Sequence, residues 1–188
     1  MGNINFLLIG ITGRAGAGKT TAAKYIESIH SLHRLSFASL LKKIAEELYP
    51  WFTDDQLYGQ TKDIIDTKLG KSPRRVLQLL GTEVGRLIWE DTWIDAVRRD
   101  IQKLRDDGAV GAVIDDVRFL NEMQMVNELD GTLWVIKRPL IDNNPIAPIH
   151  SSESYEDVID KYNHITIPNG DSIQELYYTI DSLFRLRV

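Results

Sequence analysis

Eight consecutive residues, Gly13-Arg14-Ala15-Gly16-Ala17-Gly18-Lys19-Thr20, constrain this chain more than any other stretch. They fit the pattern G-x-x-x-x-G-K-[ST] at every defined position, between an apolar run (residues 6–11) and a segment with helical character (residues 21–26). Glycines let the backbone wrap an anion with its N–H groups turned inward, at φ values that a Cβ penalises. The helix that follows brings the positive end of its dipole to the same anion. On this basis Gly13, Ala15, Gly16, Ala17, Gly18, Lys19, Thr20 and Thr21 surround the phosphates of a nucleoside triphosphate. Lys19 reaches the β- and γ-phosphates and the Thr20 hydroxyl takes Mg²⁺. A plain Gly-rich turn before a helix is the competing interpretation, and the strand and helix on either side argue against it.

Downstream, short apolar stretches alternate with helical ones. Residues 33–37 suit a second strand, and the apolar positions 38, 41, 44, 45 and 48 fall on one helical face. Thr53-Asp54-Asp55-Gln56 resembles a capping box. Residues 59–71 are polar and charged with little periodicity, which suits a mobile excursion. Ser72-Pro73 is a favoured N-cap followed by a favoured first helical residue. Gly81 and Gly85 sit awkwardly in a helix interior, so the helix bends there or its backbone approaches something closely. Thr92 is placed to cap a further helix that stops at Asp107-Gly108. Strands are expected at 109–114, 132–137 and 164–167, with a helix from about Asn121 and a last one after Ser172. Residues 138–149 read as a loop, and 156–161 as a polar helical segment. Alternating strands and helices predict an α/β fold of three layers, a short parallel sheet flanked by helices. Ligands of such sheets gather at the carboxyl ends of the strands. The whole chain is expected to be one domain, residues 1–188, with a helical acceptor-binding or lid insertion at about 49–92.

The 188 residues carry a net charge of −5, which speaks against a nucleic-acid-binding protein. No cysteine is present, so thiolate chemistry and disulfides are excluded. The N-terminal apolar run is too short to span a membrane and enters the loop directly, so a cytoplasmic protein without membrane attachment is expected. The sequence leaves open whether the chain forms a homodimer.

Several further residues are candidates for chemistry. Asp115 and Asp116 end an apolar strand, the position of a carboxylate that holds Mg²⁺ directly or through water. Which of the two faces the metal is open. Arg118 is in reach of a phosphate from such an edge, or it forms a surface ion pair with Glu122. Arg74 and Arg75 stand in the first turn of a helix, where cations oppose the dipole. An anionic ligand would explain them, and so would a solvated basic turn. Gln78, Gly81 and Thr82 lie within two turns of Arg75 and suit hydrogen bonding to a base or sugar. Trp93 suits stacking on a base or filling a core. His150 alone points to nothing.

In combination, these stretches resemble a known family. Gly13–Thr20 is followed by Phe37-Ala38 with Leu41-Lys42, then by Pro73-Arg74-Arg75 with Gln78 and Gly81-Thr82-Glu83. Asp116-Val117-Arg118-Phe119 with Asn121-Glu122 comes next, then His150-Ser151-Ser152-Glu153. Together they resemble the bacteriophage deoxynucleoside monophosphate kinases, a branch of the P-loop nucleoside monophosphate kinase superfamily. Members often have Pro where this chain has Leu120. The resemblance implies ATP-dependent phosphorylation of deoxynucleoside 5′-monophosphates, in a host cytoplasm if the chain is phage-encoded. It also implies an acceptor side of Arg74, Arg75, Gln78, Gly81, Thr82 and Trp93, and a catalytic edge of Asp116, Arg118 and Glu122. Lys19, Mg²⁺ and Arg118 would cover the migrating phosphoryl group, with Arg74 and Arg75 on the acceptor phosphate. Residues 59–71 and 139–149 are the lid candidates. Another small-molecule P-loop kinase, acting on a cofactor precursor or a nucleoside, and a non-kinase ATP-binding module are the alternatives.

Overall fold

The apolar run ahead of the glycine-rich loop forms β1 (Leu7–Thr12), buried along almost its whole length. It is flanked by β3 (Gly111–Ile114) and β4 (Thr132–Lys137), with β2 (His33–Leu35) and β5 (His164–Pro168) at the two edges. Every pairing is parallel, and the strand order is β2-β3-β1-β4-β5. These are coordinates of a computed structural model that describes residues 6–139, 159–170 and 172–186.

A parallel sheet whose central strands are buried on both faces needs helices on both, because those strands have no polar side to show to water. One face is covered by α1 (Lys19–His30) and by the C-terminal helix α8 (Ile173–Arg185). Ile9, Ile11, Val113, Trp134 and Ile136 of the strands pack there with Ala22, Ala23, Ile26, Leu176 and Ile180 of the helices. On the other face lies α7 (Leu120–Glu128), whose Val126 reaches Gly10 of β1. All of this belongs to a unit formed by Met1–Ser36 and Arg99–Val188.

The second unit is Phe37–Arg98. It holds α2 (Ala38–Leu48), α3 (Asp54–Leu57), α4 (Pro73–Gln78) and α5 (Arg86–Ile88), around Ala45, Phe52, Leu57 and Val76. Thr53 and Gln56 form the expected reciprocal capping box, and Ser72 caps α4 with Pro73 as its first residue. Helix α6 (Thr92–Asp106) begins in this unit and ends in the first. Thr92 does not cap it as expected. Its hydroxyl donates to the carbonyls of Gly85 and Trp89, which lie before the helix.

Residues 59–71 carry more structure than their polar composition predicts. Asp55 accepts the N–H groups of Gln60 and Thr61, and Asp66 those of Lys68 and Leu69. Between them Thr61–Asp63 makes one 3₁₀ turn. Of the segment expected at 156–161, Ile159–Lys161 is one 3₁₀ turn and the rest lies outside the described residues. The loop and lid candidate at 139–149 lies outside them beyond its first residue, as do His150 and the stretch to Glu153.

Helices α1 and α8 are joined by an aromatic and polar seam. Tyr25 stacks on Tyr177 with centroids 3.9 Å apart, and His30 on Phe184 at 3.7 Å. Asp181 accepts the Tyr25 hydroxyl at 3.0 Å and stands 3.0 Å from Nε2 of His30. Partial burial, and then the hydrogen bond to Asp181, raise the Tyr25 phenol above its ordinary value of 10.0. A raised native value means that this contribution to stability is present below pH 10 and is lost as pH climbs through the native value. Asp181→Ala should lower the urea midpoint at neutral pH, because Tyr25 loses its acceptor and His30 its partner. The Tyr25 titration should then move back toward 10.

Candidate active site

The loop between β1 and α1 has the backbone that its glycines predict. Gly13, Gly16 and Gly18 have φ of 138°, 80° and 104°, all in territory that favours glycine. A Cβ on Gly13 would strike the carbonyl of Ile136 in β4, and one on Gly18 the side-chain amide of Asn169. Gly18 is the N-cap of α1 and offers no side chain to it, so the first turn of the helix presents its N–H groups without a side-chain cap. Lys19 Nζ donates to the carbonyls of Gly13 at 2.6 Å and Arg14 at 2.9 Å, which holds the ammonium against the loop. Thr20 is exposed and Thr21 half-buried in that first turn. A concave row of backbone donors with a fixed cation binds phosphate anions.

The segment after β3 ends at the same edge of the sheet. β1 and β3 run in register through Gly10 and Ile114, and the Val117 N–H donates to Ile11 at 3.1 Å, tying the segment back to β1. The two aspartates turn to different partners. Asp115, buried, accepts from Arg34 of β2 at 3.2 Å, and Arg34 also pairs with Glu27 of α1. Asp116 accepts the neutral Ser36 hydroxyl at 2.7 Å. Among the described residues no group of three or more His, Asp or Glu side chains is arranged to hold a metal. Mg²⁺ commonly takes one or two carboxylates, with phosphate oxygens and water completing its shell. A hydroxyl and a carboxylate, both hard oxygen donors, suit that ion.

Glu122 and Arg118 do meet, although through the backbone. Glu122 is only 2% exposed, and its Oε2 accepts the N–H of Arg118 at 2.7 Å and of Phe119 at 3.0 Å. Glu122 therefore closes the turn that leads into α7, while the Arg118 side chain stays exposed. The carboxylate also sits at the positive end of that helix, where a negative charge is favoured.

In the second unit, Arg74 makes a two-pronged pair with Asp63 through Nε and, at 3.0 Å, through Nη2. That hydrogen bond holds the Asp63 carboxyl below its ordinary value of 3.8. Arg75 reaches Glu83 at 3.0 Å. Beyond α4 the chain continues as a π-helical segment, Leu79–Gly85, and of the two alternatives for its glycines the close approach occurs. The helix widens, and other groups approach it: Leu41 against Gly81, and the Trp93 ring against Gly85. Trp93 is 7% exposed, and its Nε1 donates to the Gly81 carbonyl at 2.8 Å. It is a core residue of this unit that holds the widened turn open. Thr82 is half-buried on the same segment, and Gln78, the last residue of α4, is half-buried just before it. Helical segments of this kind are rare and occur often at functional sites.

Three residues near the phosphate loop escaped the sequence analysis. Asn169 Nδ2 donates to the Ala17 carbonyl at 2.7 Å, and Arg138 Nη1 to that of Gly16 at 3.4 Å. Arg34 is the third. The turn signal of Asn169-Gly170 was readable, but a contact across 152 residues leaves no local trace.

The chain is similar to known proteins along most of its length. A family model described as deoxynucleotide monophosphate kinase matches residues 55–180. An Acanthamoeba polyphaga mimivirus protein, provisionally named deoxynucleotide monophosphate kinase, is 33% identical over 94% of this chain and 95% of its own. The deoxynucleoside-5′-monophosphate kinase of Escherichia phage T5 is 40% identical over 59% of this chain and 44% of its own. Among solved structures, dephospho-CoA kinase from Campylobacter jejuni superposes with a TM-score of 0.53 at 15% identity, over 95% of both chains. Shikimate kinase from Acinetobacter baumannii gives 0.53 at 11% identity, over 97% of this chain and 93% of its own. At these identities the two structures establish the fold alone, the three-layer α/β architecture of P-loop kinases.

The placement of Glu122 has a measurable consequence. Glu122→Ala should cost about 2 kcal/mol in urea denaturation, because it strips the acceptor from two N–H groups at a buried turn. Glu122→Gln, which keeps an acceptor oxygen, should cost clearly less.

Proposed function

This chain belongs to the deoxynucleotide monophosphate kinase family, and on that premise we propose that it transfers the γ-phosphoryl group of ATP to the 5′-phosphate of a deoxynucleoside monophosphate. An oxygen of the acceptor phosphate forms a new bond to the γ-phosphorus as the bond to the β–γ bridging oxygen breaks. ADP and a deoxynucleoside diphosphate result. Such a transfer asks little covalent chemistry of the protein and much positioning and neutralisation of charge.

The observation that carries the acceptor assignment is the pair of arginines opening α4, both held by carboxylates. Cations at a helix start oppose its dipole, so their presence calls for a compensating anion. Asp63 presents two oxygens to Arg74, as a phosphate would, and the acceptor phosphate would compete with it for the same guanidinium. Since Asp63 lies within residues 59–71, the lid candidate, acceptor binding would release this segment from Arg74 and free it to move. Gln78, at the end of α4, and Thr82, on the widened helix, are assigned to the base or sugar. Trp93 keeps that helix in shape rather than stacking on the base.

On the donor side, the N–H groups of the loop and Lys19 hold the triphosphate, and Arg118 neutralises charge that develops during transfer. Thr20 and Asp116 would hold Mg²⁺, which neutralises the β- and γ-phosphate oxygens when bound. Asp116 is preferred to Asp115 because it is the more exposed of the two, Asp115 being buried. Glu122 fixes the turn from which Arg118 extends.

A coupled assay of ADP release with each of the four deoxynucleoside monophosphates tests the activity. At least one should be phosphorylated; if none is while slow ATP hydrolysis persists, the chain is not this kinase. Arg118→Ala should lower kcat on the order of a thousandfold with ATP affinity retained. Arg75→Ala should instead raise the acceptor KM by about tenfold or more, the loss of a charge-assisted hydrogen bond.

A further inference from the structure

The turn between β5 and α8 grips the phosphate loop through Asn169. We propose that Asn169 is a positioning residue for nucleotide binding, acting through the peptide that joins Ala17 to Gly18. This rests on the assignment of the loop as the ATP site.

A trans peptide carries its C=O and its N–H on opposite sides. Whatever holds the Ala17 carbonyl therefore also sets the direction of the Gly18 N–H. Asn169 Nδ2 donates to that carbonyl at 2.7 Å, the shortest bond that any side chain outside the loop and α1 makes to the loop backbone among those described. The side-chain orientation is unambiguous, because only the NH₂ end of the amide can face a carbonyl oxygen. Among the described residues no acceptor is bonded to the Gly18 N–H. Gly18 adopts φ of 104° at the N-cap of α1, a conformation that alternative rotations of this peptide would lose. Asn169 is itself held in place, since its N–H donates to the Lys137 carbonyl at 2.7 Å and continues the β4–β5 ladder by one residue. The amide also fills the space that a Cβ on Gly18 would occupy. A rigid sheet edge thus fixes one peptide of the loop before any nucleotide arrives, and that donor need not be ordered on binding.

Two substitutions separate the bond from the bulk. Asn169→Leu keeps the volume and removes the donor; Asn169→Ala removes both. Affinity for a non-hydrolysable ATP analogue, by titration calorimetry on the full chain, should fall about fivefold or more in each, the worth of one ordinary hydrogen bond. KM for ATP should rise in step while KM for the deoxynucleoside monophosphate stays unchanged. The Gly18 amide proton should move downfield on analogue binding in the wild type and move less in both variants. A general loss of structure would instead shift both KM values and lower Tm, which would overturn the proposal, as would analogue affinity and a Gly18 shift unchanged in Asn169→Leu. Should Asn169→Leu fail to fold, Asn169→Ala decides by the same readouts. A wild type that binds no analogue overturns the nucleotide assignment and this proposal together. A wild type that binds while the variants bind equally well overturns the proposal alone.

Discussion

Burial of β1 on both faces is the condition from which the rest of the first unit follows. A strand with no polar side must have strands on either side and helices above and below. The connections of a parallel sheet must then return outside it, and successive strands all end at one edge. That edge receives the phosphate loop after β1, the Asp115-Asp116 turn after β3, and Asn169 after β5. The chemistry-bearing side chains are brought together by the covering of apolar surface, with no strong attraction among themselves required. What the polar groups add is orientation. Lys19 ties down two loop carbonyls, Asn169 a third, and Glu122 the turn of Arg118.

The second unit poses an electrostatic problem and answers it locally. Two guanidiniums begin a helix whose dipole disfavours them, and each is met by a carboxylate, Asp63 from the preceding turn and Glu83 from the π-helical segment. Both pairs are well exposed, so they contribute little to stability. Their use lies in holding two flexible side chains extended, which reduces the entropy lost when an anionic ligand takes the place of a carboxylate.

What could be read from the sequence was whatever a few neighbouring residues decide among themselves. The glycine-rich loop, the alternation of strands and helices, and the caps at Thr53 and Ser72 all depend on local backbone chemistry, and all appear in the structure. Features set by distant partners could not be read. The hydroxyl of Thr92 looked like a cap and instead serves a carbonyl seven residues back. Asp115 and Asp116 were indistinguishable as letters; Arg34 of β2 and Ser36 just after it separate them. Residues 59–71 looked irregular because their order comes from aspartate side chains bonding nearby N–H groups, which leaves no hydrophobic period. Glu122 gave a partial signal: its spacing from Arg118 suggested an ion pair, and the interaction proved to be with the backbone.

The π-helical segment at Leu79–Gly85 carries a further implication. A turn closed by i→i+5 bonds holds one more residue than an α-turn, so in terms of chain length it behaves as a single-residue insertion within a helix. Each added residue turns everything beyond it by about 100° about the axis. The widened turn takes up that one extra residue, and closing it to α geometry with the residue retained would swing Leu87 and Ile88 to a different side of the helix without altering a single side chain. Gly81 and Gly85 make the surplus tolerable, and Trp93 closes over it. In this part of the molecule the length of the chain carries as much information as its composition.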